Sequence, residues 1–255
     1  MRFSIVTVCY NASRTIAGTL QSVAAQTWPD IEHIIIDGAS TDETLEVITA
    51  HAHPRLLLHS EPDRGIYDAM NKGLSRATGD YVLFLNADDF LANRDVVRTI
   101  ALTAQAHGTD LIIGDTLIVD AVDVNLPLRY YGARNFSAWW LKIGVMPPHP
   151  STFARRTLLN AAGGFDCSYD VAADFDLIAR LIFDHGASWA TTGRITTYFR
   201  AGGLSTSGGA ITRRISRDFA RSLTGLGVRQ ARFLIMLRYP FKAYQLLRAR
   251  ARHFA

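Results

Sequence analysis

The stretch Tyr81-Val-Leu-Phe-Leu-Asn-Ala-Asp-Asp89 decides the fold class, because an apolar run of strand length ends in a cluster of polar side chains. An unbroken apolar run is typical of a strand buried on both faces of a parallel sheet. Mg²⁺ and Mn²⁺ prefer oxygen ligands, so the polar cluster predicts a cation site that bridges a diphosphate. The two carboxylates are equally consistent with capping of the next helix.

Strands and helices alternate around this stretch. Strands are predicted at 3–9, 31–37, 55–59, 81–85 and 110–115, and the intervening helices end near residues 26, 51, 77 and 107. Ser40 and Glu43 form the pattern of a capping box. The alternation predicts βαβ units and an α/β fold, with a mostly parallel sheet flanked by helices. After residue 115 the pattern predicts loops with a short helix over 129–151, a helix over 173–185, a strand over 189–200 and further helices to the C-terminus.

Polar residues follow the ends of the predicted strands, where α/β sheets bind ligands. Asp37 is placed to accept a hydrogen bond from a base or a ribose hydroxyl, although its segment is also a helix-entry turn. Asp68 and Lys72 lie four residues apart on one helix face, so they either reach a nucleotide or form an intrahelical ion pair.

Three features of the second half carry weaker signals. Asp174 or Asp176 can serve as a general base at a bound sugar, or the two can be capping and surface charges. His149, in a proline-rich loop, is either near a metal or a bound ligand, or structural. Gly203 lies in a glycine-bracketed segment that is either a hinged loop over a ligand or a plain linker.

The composition is that of a globular protein, with 255 residues, 48% hydrophobic and 20% charged. The two cysteines, Cys9 and Cys167, are far apart, which predicts reduced thiols in a cytosolic compartment. The first residues show no signal peptide, and no apolar run approaches the roughly 18 residues of a membrane span.

Charge is unevenly distributed along the chain. Residues 219–255 contain seven Arg, one Lys and no acidic residue. Because the net charge of the whole chain is +4, the remaining residues together carry a charge of −4. A basic tail that mixes Arg with apolar residues predicts an amphipathic helix at a membrane surface, or a helix that packs on the domain or forms a homodimer. No nucleic-acid-binding motif accompanies the tail, so no nucleic-acid partner is predicted.

Six segments together resemble glycosyltransferase family 2 over about residues 3–205. They occur in the order Thr7-Val-Cys-Tyr-Asn11, Asp37-Gly-Ala-Ser-Thr-Asp42, Gly65-Ile-Tyr-Asp-Ala-Met-Asn-Lys-Gly73, Asn86-Ala-Asp-Asp89, Gly163-Gly-Phe-Asp166 and Ala173-Asp-Phe-Asp176. The resemblance is strongest to the bacterial branch that builds cell-surface polysaccharides and glycolipids. It implies an inverting, metal-dependent enzyme with a Rossmann-like GT-A fold.

The resemblance also implies an organisation and a set of roles. A nucleotide-binding half covers about 1–115, an acceptor-binding half about 116–205, and a basic helical tail 206–255. Asp174 matches the catalytic base, and Asp88 matches the second acidic residue of the metal motif, with Mn²⁺ or Mg²⁺ as the cofactor. The nucleotide site is assigned to Thr7, Tyr10, Asn11, Asp37, Asp68, Lys72, Asn86 and Ala87; the acceptor side and its loop are assigned to His149, Asp176 and Gly203.

The predicted reaction is sugar transfer from a nucleotide-diphosphate donor to a lipid-linked, glycolipid or polysaccharide acceptor, at the inner face of the cell membrane. Asn86 stands where many family members have Asp, which removes one charge from the metal motif. It is the one sequence feature that favours the alternative, a catalytically silent nucleotide-sugar-binding scaffold. A nucleotidyltransferase or a dehydrogenase is disfavoured, because the loop after the first strand lacks the glycines that those classes require.

Overall fold

The computed structural model describes residues 1–202 and 208–238, which contain one nine-stranded sheet with helices around it. Its first half is parallel, with spatial order β3-β2-β1-β4. The strands are β1 (Phe3–Cys9), β2 (Ile31–Asp37), β3 (Leu56–Ser60) and β4 (Tyr81–Phe84). Because Cys9 pairs with Asp37 in the register, the polar loops after β1 and β2 start at the same edge of the sheet.

The second half of the sheet mixes parallel and antiparallel pairs. The strands β5 (Phe90–Leu91), β6 (Leu111–Val119), β7 (Pro127–Tyr131), β8 (Thr152–Arg155) and β9 (Trp189–Arg200) complete the sheet. β8 lies antiparallel between β4 and β6, and β6 pairs in parallel with β9. β8 therefore joins the parallel first half to the mixed second half.

The helices cover the sheet and extend beyond it. They are α1 (Ile16–Ala24), α2 (Thr44–Ala50), α3 (Ile66–Arg76), α4 (Val96–His107), α5 (Ala138–Lys142), α6 (Arg156–Ala161), α7 (Ala173–Phe183), α8 (Gly208–Gly225) and α9 (Ala231–Met236). β1 and β2 are buried along their whole length, as their unbroken apolar pattern predicts. Within residues 1–202 and 208–238, no helix is long and apolar enough to cross a membrane.

The predicted capping box at Ser40 and Glu43 is wrong. α2 begins at Thr44, and Glu43 makes no capping hydrogen bond through its side chain. Asp42 accepts the hydrogen bond from the Thr44 N–H at 3.0 Å, and the bonds from Thr44 lower the pKa of Asp42 to about 2. The Ser40 hydroxyl instead donates to Asp37 at 2.5 Å. The sequence did not predict β5, β7 or β8, and most of β7 lies in a region where loops were predicted.

α8 is firmly attached to the domain, although it follows the boundary predicted at residue 205. The ring of Phe219 on α8 stacks on Phe175 of α7, with centroids 3.8 Å apart, and Phe219 is 7% exposed. The Arg238 guanidinium lies 5.3 Å from the centroid of the same Phe219 ring. The described part of the predicted tail therefore packs on the domain; residues 239–255 lie outside the described residues.

We expect Phe219→Ala to lower the free energy of unfolding by about 3 kcal/mol, because it removes a buried ring between two helices. Chemical denaturation monitored by circular dichroism measures the change. The matched control is Phe233→Ala, since the Phe233 side chain is 65% exposed and its loss should change stability by less than about 0.5 kcal/mol. Equal effects of the two substitutions would contradict the packing of α8 on α7.

Candidate active site

The loops that follow β1 and β2 are bonded to each other through Asn11. Its backbone is in the left-handed region, with φ of 49°. Its side-chain oxygen accepts a hydrogen bond from the Thr41 N–H at 2.9 Å, and its own N–H donates to the Ser40 hydroxyl at 2.8 Å. Asn11 is exposed, so the side of the loop that faces solvent remains open to a ligand.

Asp37 is fully buried at the end of β2. Its carboxylate accepts hydrogen bonds from the Ser40 hydroxyl at 2.5 Å, the Ser40 N–H at 3.0 Å and the Ser60 hydroxyl at 2.7 Å. Burial and the neighbouring Asp37 raise the pKa of the Cys9 thiol, which keeps that thiol protonated. Asp37 therefore fixes the loop after β2 and the end of β3 through these three hydrogen bonds.

Thr7 does not reach the surface of the site. Its side chain is fully buried, and its hydroxyl lies 3.0 Å from Nε2 of the buried His33. Burial lowers the pKa of His33 to about 3, so the ring is neutral. Thr7 thus links β1 to β2 inside the sheet.

Tyr10, Gly38 and Asp63 converge at the open edge of the sheet. A Cβ atom added to Gly38 would lie 2.5 Å from Oδ2 of Asp63 and 3.4 Å from the Tyr10 ring, so any side chain at residue 38 would displace the Asp63 carboxylate. The Tyr10 side chain is 63% exposed. An exposed aromatic ring beside a carboxylate is a suitable surface for stacking and hydrogen bonding of a base.

Asp68 and Lys72 form an ion pair within α3, which is one of the two interpretations of their four-residue spacing. Their charged atoms are 3.6 Å apart, and Lys72 also donates to the Pro62 carbonyl at 2.7 Å. Arg64 pairs with Asp68 at 2.9 Å and has an 84% exposed side chain. Asp68 and Lys72 of α3 are therefore occupied by contacts with each other and with the turn before the helix, whereas Arg64 extends into solvent.

The segment after β4 offers oxygen atoms to a cation. Oδ1 of Asn86 and Oδ2 of Asp89 are buried, and no described residue donates a hydrogen bond to either. Ala87 is buried between them. Burial raises the pKa of Asp88, and burial together with the Asp88 charge raises the pKa of Asp89 well above its usual value. Carboxylates in this state are stabilised by an added positive charge.

These residues fit a divalent metal that is completed by donor phosphates. No group of three or more His, Cys, Asp and Glu side chains suited to a metal occurs in the described part of the chain. Mg²⁺ and Mn²⁺ commonly bind through one or two carboxylates plus substrate phosphates, and an amide oxygen is also a suitable ligand. Asp88, Asn86 and the free oxygen of Asp89 would hold such an ion.

Arg200, at the end of β9, was not predicted and lies beside this segment. Its N–H donates to Oδ1 of Asp89 at 3.1 Å, and its Nε donates to the carbonyl of Asp88 at 3.2 Å. The Arg200 charge lowers the pKa values of both carboxyls, partly offsetting the effect of burial. A single Arg at a strand end carries no sequence signal, so only the pairing of β9 reveals this contact.

Asp174 is in the first turn of α7, and its charge acts on Tyr67, Tyr131 and His149. Burial raises its pKa, while His149 lowers it. Burial is likewise the main cause that raises the pKa of Tyr131 to about 12, and the Asp174 charge adds to it. A carboxylate with a raised pKa is a stronger base than an ordinary Asp, which suits proton abstraction from a hydroxyl group.

His149 connects Asp174 to the segment after β4. Its ring stacks on Phe84, the last residue of β4, with centroids 6.0 Å apart and planes at 11°. Phe165 packs against both rings, at 5.9 Å from His149 and 4.8 Å from Phe84. Burial lowers the pKa of His149, although the Asp174 charge opposes this, so the ring is neutral near pH 7. The structure therefore brings His149 and Asp174 together next to the end of β4.

The structure does not bring Asp176 to this cluster. Asp176 is buried and forms an ion pair with Arg180 at 2.7 Å. Arg180 also donates to the carbonyls of Ala162 and Gly164, which fixes the turn before Phe165. Gly203 lies outside the described residues.

The segment Gly65–Gly73 holds the two halves of the protein together, a role that the sequence did not predict. The Asn71 side chain makes two reciprocal hydrogen bonds of 2.8 Å with the backbone of Phe165. The Tyr67 ring stacks on Phe165 at 5.7 Å, and its hydroxyl donates to the Val171 carbonyl at 2.5 Å. The density of polar residues in this segment was the signal, but it does not distinguish a ligand contact from a backbone contact.

The comparisons with known proteins agree with this fold. A sequence model described as glycosyl transferase family 2 matches residues 4–160, which is more than half of the chain. The chain belongs to glycosyl transferase family 2. The match covers the loops after β1 and β2, the segment Gly65–Gly73 and the oxygen-rich segment after β4.

Named relatives extend the likeness over nearly the whole chain. A PGL/p-HBAD biosynthesis glycosyltransferase of Mycobacterium bovis (strain BCG / Pasteur 1173P2) is 31% identical over 247 residues, covering 93% of this chain and 91% of the relative. An uncharacterized glycosyltransferase of Mycobacterium tuberculosis (strain CDC 1551 / Oshkosh) is 32% identical over 187 residues, covering 69% of this chain and 67% of the relative.

Two solved structures confirm the predicted GT-A fold. S. aureus TarS 1-349 in complex with UDP-GlcNAc superposes with a TM-score of 0.68 at 18% identity, covering 88% of this chain. This chain spans 66% of that TarS fragment. Mannosyltransferase PcManGT from Pyrobaculum calidifontis, in complex with GDP-Man and Mn²⁺, superposes with a TM-score of 0.66 at 19% identity, covering 98% of this chain and 75% of its own.

Proposed function

We propose that this glycosyltransferase moves a sugar from a nucleotide-diphosphate donor to a lipid-linked or glycolipid acceptor, with inversion at the anomeric carbon. One observation carries the proposal: Asp174, a carboxylate with a raised pKa, is linked through His149 and Phe84 to the strand that ends before Asp88. A base and a diphosphate site on neighbouring elements are what a single displacement requires.

The donor site is proposed at the open edge of β1, β2 and β4. Tyr10 and Asp63, on either side of Gly38, are suited to the base, and Asn11 and Asp37 hold the loops that frame it. The nucleotide complexes of TarS and PcManGT support a nucleotide-sugar donor on this fold.

A divalent ion, Mn²⁺ or Mg²⁺, would be held by Asp88 with Asn86 and Asp89, and it would supply positive charge to the departing diphosphate. The Mn²⁺ in PcManGT supports this assignment. Arg200 fixes the backbone of Asp88, so it is proposed as the residue that positions the metal motif.

Asp174 is proposed to accept the proton of the acceptor hydroxyl. The acceptor oxygen then forms its bond to the anomeric carbon as the bond between that carbon and the diphosphate oxygen breaks, and the nucleoside diphosphate leaves. Burial keeps the pKa of Asp174 raised, although the neighbouring His149 lowers it in part.

The proposed acceptor class is supported by relatives whose name is PGL/p-HBAD biosynthesis glycosyltransferase. We propose a lipid-bearing acceptor of the cell envelope, encountered at the inner face of the membrane, and an enzyme that binds that face peripherally. The alternative, a silent scaffold that binds a nucleotide sugar, rests on Asn86 alone, and the raised pKa of Asp174 favours the enzyme.

A thermal-shift screen of UDP-, GDP- and dTDP-sugars, each with and without Mn²⁺, tests the donor site. We expect one nucleotide to raise the melting temperature only with Mn²⁺, because a ligand that binds the native state alone stabilises it, by about 2.7 kcal/mol at 100 times its Kd. A shift without turnover of the donor would support the silent scaffold. A shift that is independent of Mn²⁺ would reject the metal assignment.

A further inference from the structure

The helices α8 and α9 enclose a groove of about 690 Å³ outside the candidate active site. Four arginines line it: Arg213, Arg217 and Arg221 on α8, and Arg232 on α9. Ile235 and Met236 add apolar surface to the same lining. The groove therefore combines a cluster of positive charge with an apolar wall.

The positive charge of the groove is largely uncompensated. No carboxylate lines it, and Asp218, the single acidic residue between positions 185 and 255, is buried in the domain. Arg221 is compensated, since it pairs with Asp166 at 3.8 Å and donates to the Ser168 hydroxyl at 2.6 Å. Arg213, Arg217 and Arg232 are exposed, and none of them is in an ion pair with another residue in 1–202 or 208–238.

The rim of the groove on α9 presents large apolar side chains to solvent. Phe233 is 65% exposed and Met236 is 63% exposed, one helical turn apart. A helix that exposes aromatic and aliphatic residues beside arginines is suited to the boundary between lipid headgroups and acyl chains. Arginine side chains also place their apolar stems along such a boundary while the guanidinium groups reach phosphates.

The groove is rigidly connected to the proposed acceptor side. α8 packs on α7 through the stacked rings of Phe219 and Phe175, and α7 begins at the turn that contains Asp174. Arg238 donates to the Ser216 hydroxyl at 2.7 Å, which fixes the end of α9 to α8. A surface bound at the groove is therefore held at a fixed position relative to Asp174.

We propose that the α8–α9 groove is a docking site for an anionic phospholipid bilayer, with Arg213, Arg217 and Arg232 bound to headgroup phosphates and Phe233 and Met236 inserted at the interface. A soluble polyanion would match the charge but would leave both apolar side chains in water. A second copy of the chain in a two-fold dimer would set these arginines against the same arginines. The proposal deepens the proposed function by naming the surface from which a lipid-bearing acceptor is reached, and it rests on that function only in this respect.

Co-sedimentation of the full chain with vesicles tests the docking site. We expect binding to vesicles of phosphatidylcholine with 30% phosphatidylglycerol, and little binding to phosphatidylcholine alone, at about 0.15 M salt. The variant Arg213→Gln/Arg217→Gln/Arg232→Gln should bind the anionic vesicles on the order of 100-fold more weakly, because each arginine near an anionic surface contributes several-fold to binding.

The matched control is Arg94→Gln/Arg98→Gln/Arg194→Gln, which removes the same charge from exposed sites outside the groove. It should bind no more than about threefold more weakly than the unaltered chain, since distant surface charges are screened. Equal weakening by both triple variants, or unchanged binding of the groove variant, would overturn the proposal. So would a dimer that dissociates only when the groove is altered, or equal binding to neutral vesicles.

Vesicle binding needs neither donor nor metal, so its outcome is separate from that of the proposed function. A chain that shows the nucleotide and Mn²⁺ shift but no vesicle binding would refute the groove alone. A chain that binds vesicles through the groove but neither binds nor turns over any donor would refute the proposed function alone.

Discussion

Asp174→Asn is expected to reduce kcat by about 10³-fold while the Kd of the donor changes by less than about twofold, because the substitution removes the proposed base and keeps the shape of the side chain. Single-turnover transfer measures the first quantity, and calorimetric titration of the donor measures the second. Retained turnover would reject Asp174 as the base.

The control for this variant is Asp184→Asn, which alters an exposed carboxylate at the other end of α7 and should leave kcat unchanged. The pH dependence gives a second readout. Burial raises the pKa of Asp174, so the base is lost as the pH falls through that raised value, and the acid limb of kcat should lie above the range of an ordinary Asp. An acid limb at the ordinary Asp value would assign it to another group.

Asp88→Ala is expected to abolish the dependence of donor binding on Mn²⁺ and to lower kcat/KM by about 10²-fold or more, because the ion would lose one of its two carboxylate ligands and with it the positive charge at the departing diphosphate. Donor titration at several Mn²⁺ concentrations measures the response. Asp95→Ala, which alters an exposed carboxylate before α4, is the control and should preserve it.

Asn86→Asp provides the opposite test at the same motif. It adds a negative charge to the motif that contains Asp88 and Asp89, so the apparent affinity for Mn²⁺ should increase by about tenfold. An unchanged response to Mn²⁺ in both the Asp88 and the Asn86 variants would place the metal elsewhere.

The sequence predicted the parallel half of the sheet because its signal is local. β1 and β2 each coincide with a β-rich run that can be read without knowing its neighbours. The same is true of β9 in the mixed half, whose bounds were predicted as observed. β8 has only four residues after a proline-rich run, and it is a strand because β4 and β6 lie on either side of it. Pairing with strands that are distant in sequence cannot be predicted from a short segment alone.

The residues of the candidate site also differ in whether a local sequence signal points to them. Asp88 and Asp174 could be assigned roles from the sequence because each lies in a motif that resembles one of the family, and both roles stay predictions. The orientation of Thr7 was not predictable, because a strand buried on both faces has no polar alternation to show which side faces the site. Arg200 and His149 depend on chain segments that meet only in the folded protein, and their roles could therefore be assigned only from contacts.

The pairing of Asn71 with the backbone of Phe165 bears on how such enzymes can be recombined. The amide of Asn71 substitutes for one rung of a sheet between residues 94 positions apart, and Tyr67 reinforces it. A chimera that takes its first half from this chain and its second half from a distant homologue would contain α3 without the backbone around Phe165 to which α3 is hydrogen-bonded. Successful grafts of acceptor specificity should therefore transfer α3 together with the region around Phe165, as one module.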